Sequence, residues 1–88
     1  MKIKEDYVLR SVSGQHVVVP TGEEAINFNG IISLNETGKF LFERLQEGRD
    51  KETLIQEFQE AYDIDENTAK EDIDDFLRVI RENNLLDE

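Results

Sequence analysis

The fold is decided by one stretch, Asp65–Leu86, which reads DENTAKEDIDDFLRVIRENNLL. Its apolar residues recur at steps of three and four, the spacing of one helical face, and they fall within a sector of about 100°. They are Ala69, Ile73, Phe76, Leu77 and Ile80. The pattern predicts a long amphipathic helix that ends in a left-handed turn at Asn83-Asn84. The apolar tail Leu85-Leu86 is then expected to fold back onto the core.

Two shoulders flank the apolar stripe of this predicted helix. One shoulder consists of Lys70, Asp74, Leu77 and Arg81. The opposite shoulder consists of Thr68, Asp72 and Val79. The functional interpretation below depends on what the first shoulder touches.

Two shorter helices are predicted before the long one. Asn35, Asp50 and Asp65 are expected to be the three N-caps, because their side chains can accept a hydrogen bond from an unpaired backbone N–H. Gly48 is expected to end the first helix. Gly38 within it costs about 0.5–1 kcal/mol relative to alanine; close approach to the sheet or chance would explain it equally well. The predicted buried positions are Phe40, Leu41 and Leu45, with Phe42 beside them, in the first helix, and Leu54, Ile55, Phe58, Ala61 and Tyr62 in the second.

The residues before the helices favour a small antiparallel sheet. Tyr7–Val12 and Gln15–Pro20 are two short runs joined by Ser13-Gly14, which predicts a hairpin. Met1–Asp6 is expected to be a frayed lead-in. The predicted class is therefore α+β, with three to four short strands followed by three helices, an arrangement like a winged helix-turn-helix.

A second hairpin is predicted around Asn29-Gly30, because both residues tolerate positive φ. It would join strands at Ala25–Phe28 and Ile31–Leu34. One register would place Ile26 opposite Ile32 and keep Leu34 on the same face.

Length and composition restrict the class of protein. The 88 residues suffice for one small domain, 1–88, and there is no cysteine for disulfides, thiol catalysis or cysteine-ligated metals. No run approaches the roughly 18 apolar residues of a membrane span, and the N-terminus lacks the apolar middle of a signal peptide. We therefore expect a cytoplasmic protein without a membrane partner.

Charge argues against a nucleic-acid partner. The formal net charge is −11, and residues 65–82 of the long helix contain 7 acids and 3 bases. A nucleic-acid surface normally needs a basic face, because phosphate neutralisation supplies much of the affinity.

No catalytic or metal-binding motif is expected. Asp63, Asp65 and Asn67 resemble the start of a calcium loop, but Thr68 stands where that loop requires glycine; an N-cap cluster explains them better. His16, the only histidine, is interpreted as a surface or edge residue that no nucleophile–base pair can be built around. The carboxylates lie on predicted solvated faces, so we expect neither an enzyme nor a cofactor.

A peptide groove is the remaining hypothesis. The predicted strand Ile31–Leu34 could form a sheet edge next to the long helix, and such an edge is a row of unpaired backbone donors and acceptors. An extended peptide could add to this edge, its alternate side chains facing the helix. Leu77 would offer an apolar contact, while Lys70 and Arg81 would attract acidic groups. The competing interpretation is a short edge beside a solvated shoulder.

The chain resembles the PqqD family, whose members are also called RiPP recognition elements. The resemblance covers nearly the whole length and rests on an ordered set of segments. These are YVLRSVSGQHVVVP, FNGIISLNETGKFLFERLQEG and LIQEFQEAYDIDENTAKEDIDDFLRVIRENNLL.

This resemblance implies a function in natural-product biosynthesis. Members bind the leader segment of a ribosomally made precursor peptide and present it to a modifying enzyme, often a radical SAM enzyme. The leader adds beside the third strand and packs against the third helix. In this sequence the implied peptide-binding residues are Gly30, Ile31, Ile32, Ser33, Leu34, Lys70, Asp74, Leu77, Arg78 and Arg81. The segment 21–29 is longer than the tight turn of shorter members, which leaves open which strand forms the edge.

Two alternatives come from other functional classes. The topology also permits a winged-helix DNA-binding regulator, which the acidic long helix disfavours. The third possibility is a structural subunit of an enzyme complex that has no affinity for any precursor peptide.

Overall fold

A computed structural model describes residues 1–22 and 32–87 of the chain. Three antiparallel strands precede three helices in it, which confirms the predicted α+β class. The strands are β1 (Tyr7–Val12), β2 (Gln15–Pro20) and β3 (Ile32–Leu34), and the helices are α1 (Glu36–Glu47), α2 (Lys51–Tyr62) and α3 (Glu66–Glu82). Within the described residues, none of the helices is long and apolar enough to cross a bilayer.

The first hairpin forms as predicted. β1 and β2 pair from Tyr7 opposite Pro20 to Val12 opposite Gln15. Ser13 and Gly14 between them have φ angles of 51° and 79°. Two consecutive positive φ values are what a two-residue turn needs to match the twist of the strands it joins.

β3 pairs with β2, and the sheet order is β1-β2-β3. Ile32 lies opposite Val18, and Leu34 lies opposite His16. The predicted strand Ala25–Phe28, its pairing with β3 and the first predicted strand residue, Ile31, all lie outside the described residues. Among the residues that are described, β3 has a strand on one side only.

The predicted helix boundaries are confirmed by the caps. The Gly38 N–H donates to Asn35 Oδ1 at 2.8 Å, and the Thr53 and Thr68 N–H groups donate to Asp50 and Asp65 at 2.7 Å each. α1 is closed by Gly48, at φ 97°, and Asn84 takes the left-handed conformation after α3, at φ 58°.

The cap at Asp65 predicts a specific pH dependence of stability. Hydrogen bonds from Thr68 lower the pKa of Asp65, so its contribution to stability is present above the unfolded-state pKa and is lost as pH falls through the folded-state pKa. Asparagine caps about as well but does not titrate. We therefore expect Asp65→Asn to match the parent at neutral pH and to lose less stability below about pH 4. Thermal unfolding between about pH 3 and 7 measures this. If the stability of the parent and of Asp65→Asn fell equally with pH, the prediction would be contradicted.

The three helices and the sheet share one apolar core, built mostly from the predicted helical stripes. Ala69, Ile73, Leu77 and Ile80 of α3 are all buried. Two predicted core residues of α2 are not: Ala61 is exposed, and Tyr62 is 38% exposed. Both lie in the last turn of α2, where the tyrosine ring packs edge-on against Phe40 and Phe58, with centroids 5.5 and 5.3 Å away.

The predicted fraying of Met1–Asp6 is wrong. Ile3 is only 3% exposed, its N–H donates to the Leu45 carbonyl at 3.0 Å, and it forms a β-bridge with Leu86. The apolar tail after α3 folds back as expected, with Leu85 and Leu86 buried. That tail needs an apolar partner, and Ile3 supplies it, so the two ends of the chain stabilise each other.

Candidate functional site

β3 presents two different faces at the edge of the described sheet. Ile32 and Leu34 are half-buried and lie opposite the buried residues Val18 and His16, whereas Ser33 between them is exposed. Because side chains alternate along a strand, Ile32 and Leu34 face the helices and Ser33 faces away. The side chains of a strand added beside β3 would therefore alternate in the same way, one facing the helices and the next facing away.

A recess lies where β3 meets the helices. Its volume is about 280 Å³, and its walls come from the start of α1 and the middle of α3. The lining residues are Asn35, Thr37, Gly38, Leu41, Asp72, Asp75 and Phe76. Since Asn35 directly follows the last residue of β3, the recess continues the edge of the sheet.

Gly38 shows how closely α1 approaches the strand. A Cβ atom at this position would lie 3.3 Å from the Leu34 Cβ and 3.2 Å from Asn35 Oδ1. Contacts this short leave little room for a side chain. Close approach to the sheet, one of the two explanations offered for this glycine, is therefore the one that the structure supports.

The recess borders a different side of α3 from the shoulder that was predicted to face β3. Of the shoulder expected to face β3, Lys70 pairs with Glu66 at 2.9 Å, and Asp74 accepts from Lys51 of α2 at 2.5 Å. Lys70 also lines a second recess of about 350 Å³, whose remaining walls belong to α2 and the first turn of α3. This shoulder therefore lies beside α2. The apolar stripe predicts which face of α3 points into the core, but it does not predict which flank of the helix lies toward the sheet.

The other predicted residues of that shoulder that the structure describes are not among the residues that line the recess. Leu77 is 1% exposed and belongs to the core, so little of its side chain is available for a groove contact. Arg78 is exposed and lies 3.6 Å from Asp75, and the Arg81 guanidinium contacts the sulfur of Met1 at 3.6 Å. Gly30 and Ile31 lie outside the described residues.

The part of α3 that lines the recess includes Asp72 of the opposite shoulder, with Asp75 and Phe76 beside it. Val79 comes three residues after Phe76 and four after Asp75, and Asp72 comes three before Asp75, so the four residues lie on one side of the helix. Val79 is 37% exposed. That exposed valine beside Phe76 is the sequence signal that could have identified this shoulder.

Electrostatically, the recess favours a cation. Asp72 and Asp75 bring two carboxylates to it, against about half a positive charge from the α1 N-terminus. The pair of Arg78 with Asp75 is exposed, and such pairs contribute only about 0.2–1 kcal/mol. Acidic groups, which Lys70 and Arg81 were expected to attract, are therefore disfavoured here.

His16 is not the surface residue that was predicted. It is 9% exposed, its Nε2 lies 2.7 Å from Glu36 Oε1, and its Nδ1 lies 2.9 Å from the Ser11 hydroxyl. A carboxylate only accepts hydrogen bonds, so Nε2 carries the hydrogen, and in the neutral ring Nδ1 accepts from Ser11. The hydrogen bond from His16, followed by its charge, lowers the pKa of Glu36.

Comparisons with known proteins agree with the architecture. The sequence pattern of the family described as "Coenzyme PQQ synthesis protein D (PqqD)" matches residues 15–86. A solved structure described as "TbiB1 in Complex with the TbiA(beta) Leader Peptide" aligns with 99% of this chain and 95% of its own, with a TM-score of 0.77 and 24% identity. No curated protein sequence matches the chain.

Proposed function

Because the chain belongs to the PqqD family, we propose that residues 1–88 form one non-catalytic domain that binds the leader segment of a ribosomally made precursor peptide. The domain delivers that precursor to a modifying enzyme, such as a radical SAM enzyme. The fold is shared with TbiB1, which was solved with a leader peptide bound. In this role the domain needs no cofactor, because the chemistry belongs to the enzyme.

The proposed binding mode is strand addition. The observation that carries it is that β3 forms an edge of the described sheet, with the recess between its end and α3. A peptide strand there would gain backbone hydrogen bonds from β3. Its inward side chains would contact Phe76 and Val79, and its outward side chains would lie beside Ser33.

The negative charge of the recess restricts which side chains the bound peptide is expected to carry there. Asp72 and Asp75 favour a lysine or arginine where the peptide passes the start of α1. The same carboxylates, on an α3 with 7 acids and 3 bases across residues 65–82, would repel the phosphates of DNA.

An NMR titration tests the proposal directly. The ¹⁵N-labelled protein is titrated with a synthetic peptide that covers the leader segment of a candidate precursor. We expect amide shifts at residues 32–34 and 72–79, with little change at Glu52 and Lys70 in the recess between α2 and α3. Shifts centred on Glu52 and Lys70 would move the site to that recess. No shifts at high peptide concentration would favour a structural subunit instead.

A further inference from the structure

A chain of hydrogen bonds crosses three elements beside the proposed groove. It runs from the Ser11 hydroxyl on β1 through the imidazole of His16 on β2 to the Glu36 carboxylate in the first turn of α1. The histidine side chain is 11% exposed, whereas that of Glu36 is 76% exposed. The buried ring of His16 therefore holds the exposed side chain of Glu36. Through that side chain it holds the start of α1 against the sheet.

This chain lies next to the residues that shape the recess. His16 is the β2 partner of Leu34, the last residue of β3. Glu36 stands between Asn35 and Thr37, both of which line the recess. Any movement of the first turn of α1 away from the sheet would consequently change both the end of the strand edge and the wall of the recess.

We propose that His16 is a positioning residue for the peptide groove, and that protonation of its ring tightens the groove by strengthening its hold on Glu36. This inference rests on the proposed function, since it concerns the affinity of the same site. His16 itself does not touch the peptide. It acts through the first turn of α1.

Protonation adds attraction without breaking a bond. In the charged ring both nitrogens donate, Nε2 to Glu36 and Nδ1 to the Ser11 oxygen, which can accept as well as donate. The hydrogen bond to the carboxylate then becomes an ion pair. A peptide that binds only the arrangement with α1 held against the sheet gains affinity as that arrangement becomes more populated.

Several of the described elements contribute groups beside His16 and its partner Glu36. α1 contributes Glu36 itself and Lys39, whose charge acts on Glu36. β1 contributes the Ser11 hydroxyl, and β3 contributes the apolar Leu34. From α2, the Tyr62 hydroxyl donates to the Glu36 carbonyl at 3.5 Å.

The test compares two variants with the same change of charge. Glu36→Gln keeps an oxygen that can accept from Nε2 but removes the negative charge. Glu47→Gln makes the same change at the far end of α1, where the carboxylate pairs with Arg49. Affinity for a leader peptide without histidine is measured at about pH 6 and pH 8. Amide shifts of Asn35, Thr37 and Gly38 are followed over the same range without peptide.

The parent and Glu47→Gln are expected to bind about threefold more tightly at the lower pH. Glu36→Gln should bind equally at both. An unchanged pH dependence in Glu36→Gln, or none in the parent, would overturn the inference while leaving peptide binding in place. If neither the parent nor any variant binds the peptide, the proposed function fails. The amide shifts then still test whether His16 acts on the first turn of α1. The amide shifts of Asn35, Thr37 and Gly38 must change between the two pH values in the parent and not in Glu36→Gln.

Discussion

Replacing Val79 by aspartate is expected to weaken leader-peptide binding by about 10- to 100-fold while the domain stays folded. Val79 is 37% exposed, so the free protein tolerates a polar side chain there. In the complex, the new carboxylate would be covered by the peptide without a partner, which costs about 1–3 kcal/mol. It would also lie on the same face of α3 as Asp72 and Asp75, whose charges oppose it.

A matched control is available on the opposite edge of the sheet. Val12 is 60% exposed on β1, at the tip of the first hairpin. Val12→Asp makes the same chemical change away from the groove, so it should leave the dissociation constant within about twofold, as an ordinary surface substitution does. Isothermal titration of both variants gives the comparison. Equal loss of affinity in the two, or none in Val79→Asp, would contradict the assignment of this shoulder to the groove.

Replacing Leu77 by aspartate is expected to unfold the domain. Leu77 is 1% exposed, and truncating a buried leucine costs about 2–5 kcal/mol before the burial of an unpaired charge is added. The whole stability of an 88-residue chain is only about 4–13 kcal/mol. Circular dichroism should therefore show loss of the cooperative thermal transition.

Leu77→Met is the control for this position, because it keeps the volume and apolar character. It should cost less than about 1.5 kcal/mol and retain peptide binding. A folded Leu77→Asp protein that had lost only its affinity for the leader would instead return Leu77 to the groove, where the sequence pattern first placed it.

Local signals in the sequence were sufficient for most of the elements. The Ser13-Gly14 turn, the caps Asn35, Asp50 and Asp65, and the end of α1 at Gly48 depend on a few neighbouring residues each. A positive φ or an unpaired backbone N–H restricts the residue that can occupy it. These features were therefore predicted at the residue where the structure has them.

Contacts between distant parts of the chain were not predictable in the same way. Ile3 gave no periodic signal, because it is a single apolar residue among charged neighbours, and its burial depends on Leu86 at the other end of the chain. His16 likewise acquires its partners Ser11 and Glu36 only when two strands and a helix meet.

The flank of α3 that lies toward the sheet also depends on contacts between distant parts of the chain. The apolar stripe of α3 was predicted correctly, and it is flanked almost symmetrically by its two shoulders. Which shoulder lies nearer the sheet depends on where α2 and the sheet pack around α3. Lys51 of α2 holds Asp74 of one shoulder, and Asp72 of the other lines the recess next to β3.

We propose that a peptide strand pairs with β3 and lies against α3. Isotope-filtered NOEs between labelled protein and unlabelled leader peptide are the most direct measurement of this pairing. We expect backbone NOEs from the peptide to residues 32–34, together with side-chain NOEs to Phe76 and Val79. NOEs confined to Ile55, Gln59 and Lys70 between α2 and α3, with none to β3, would contradict it.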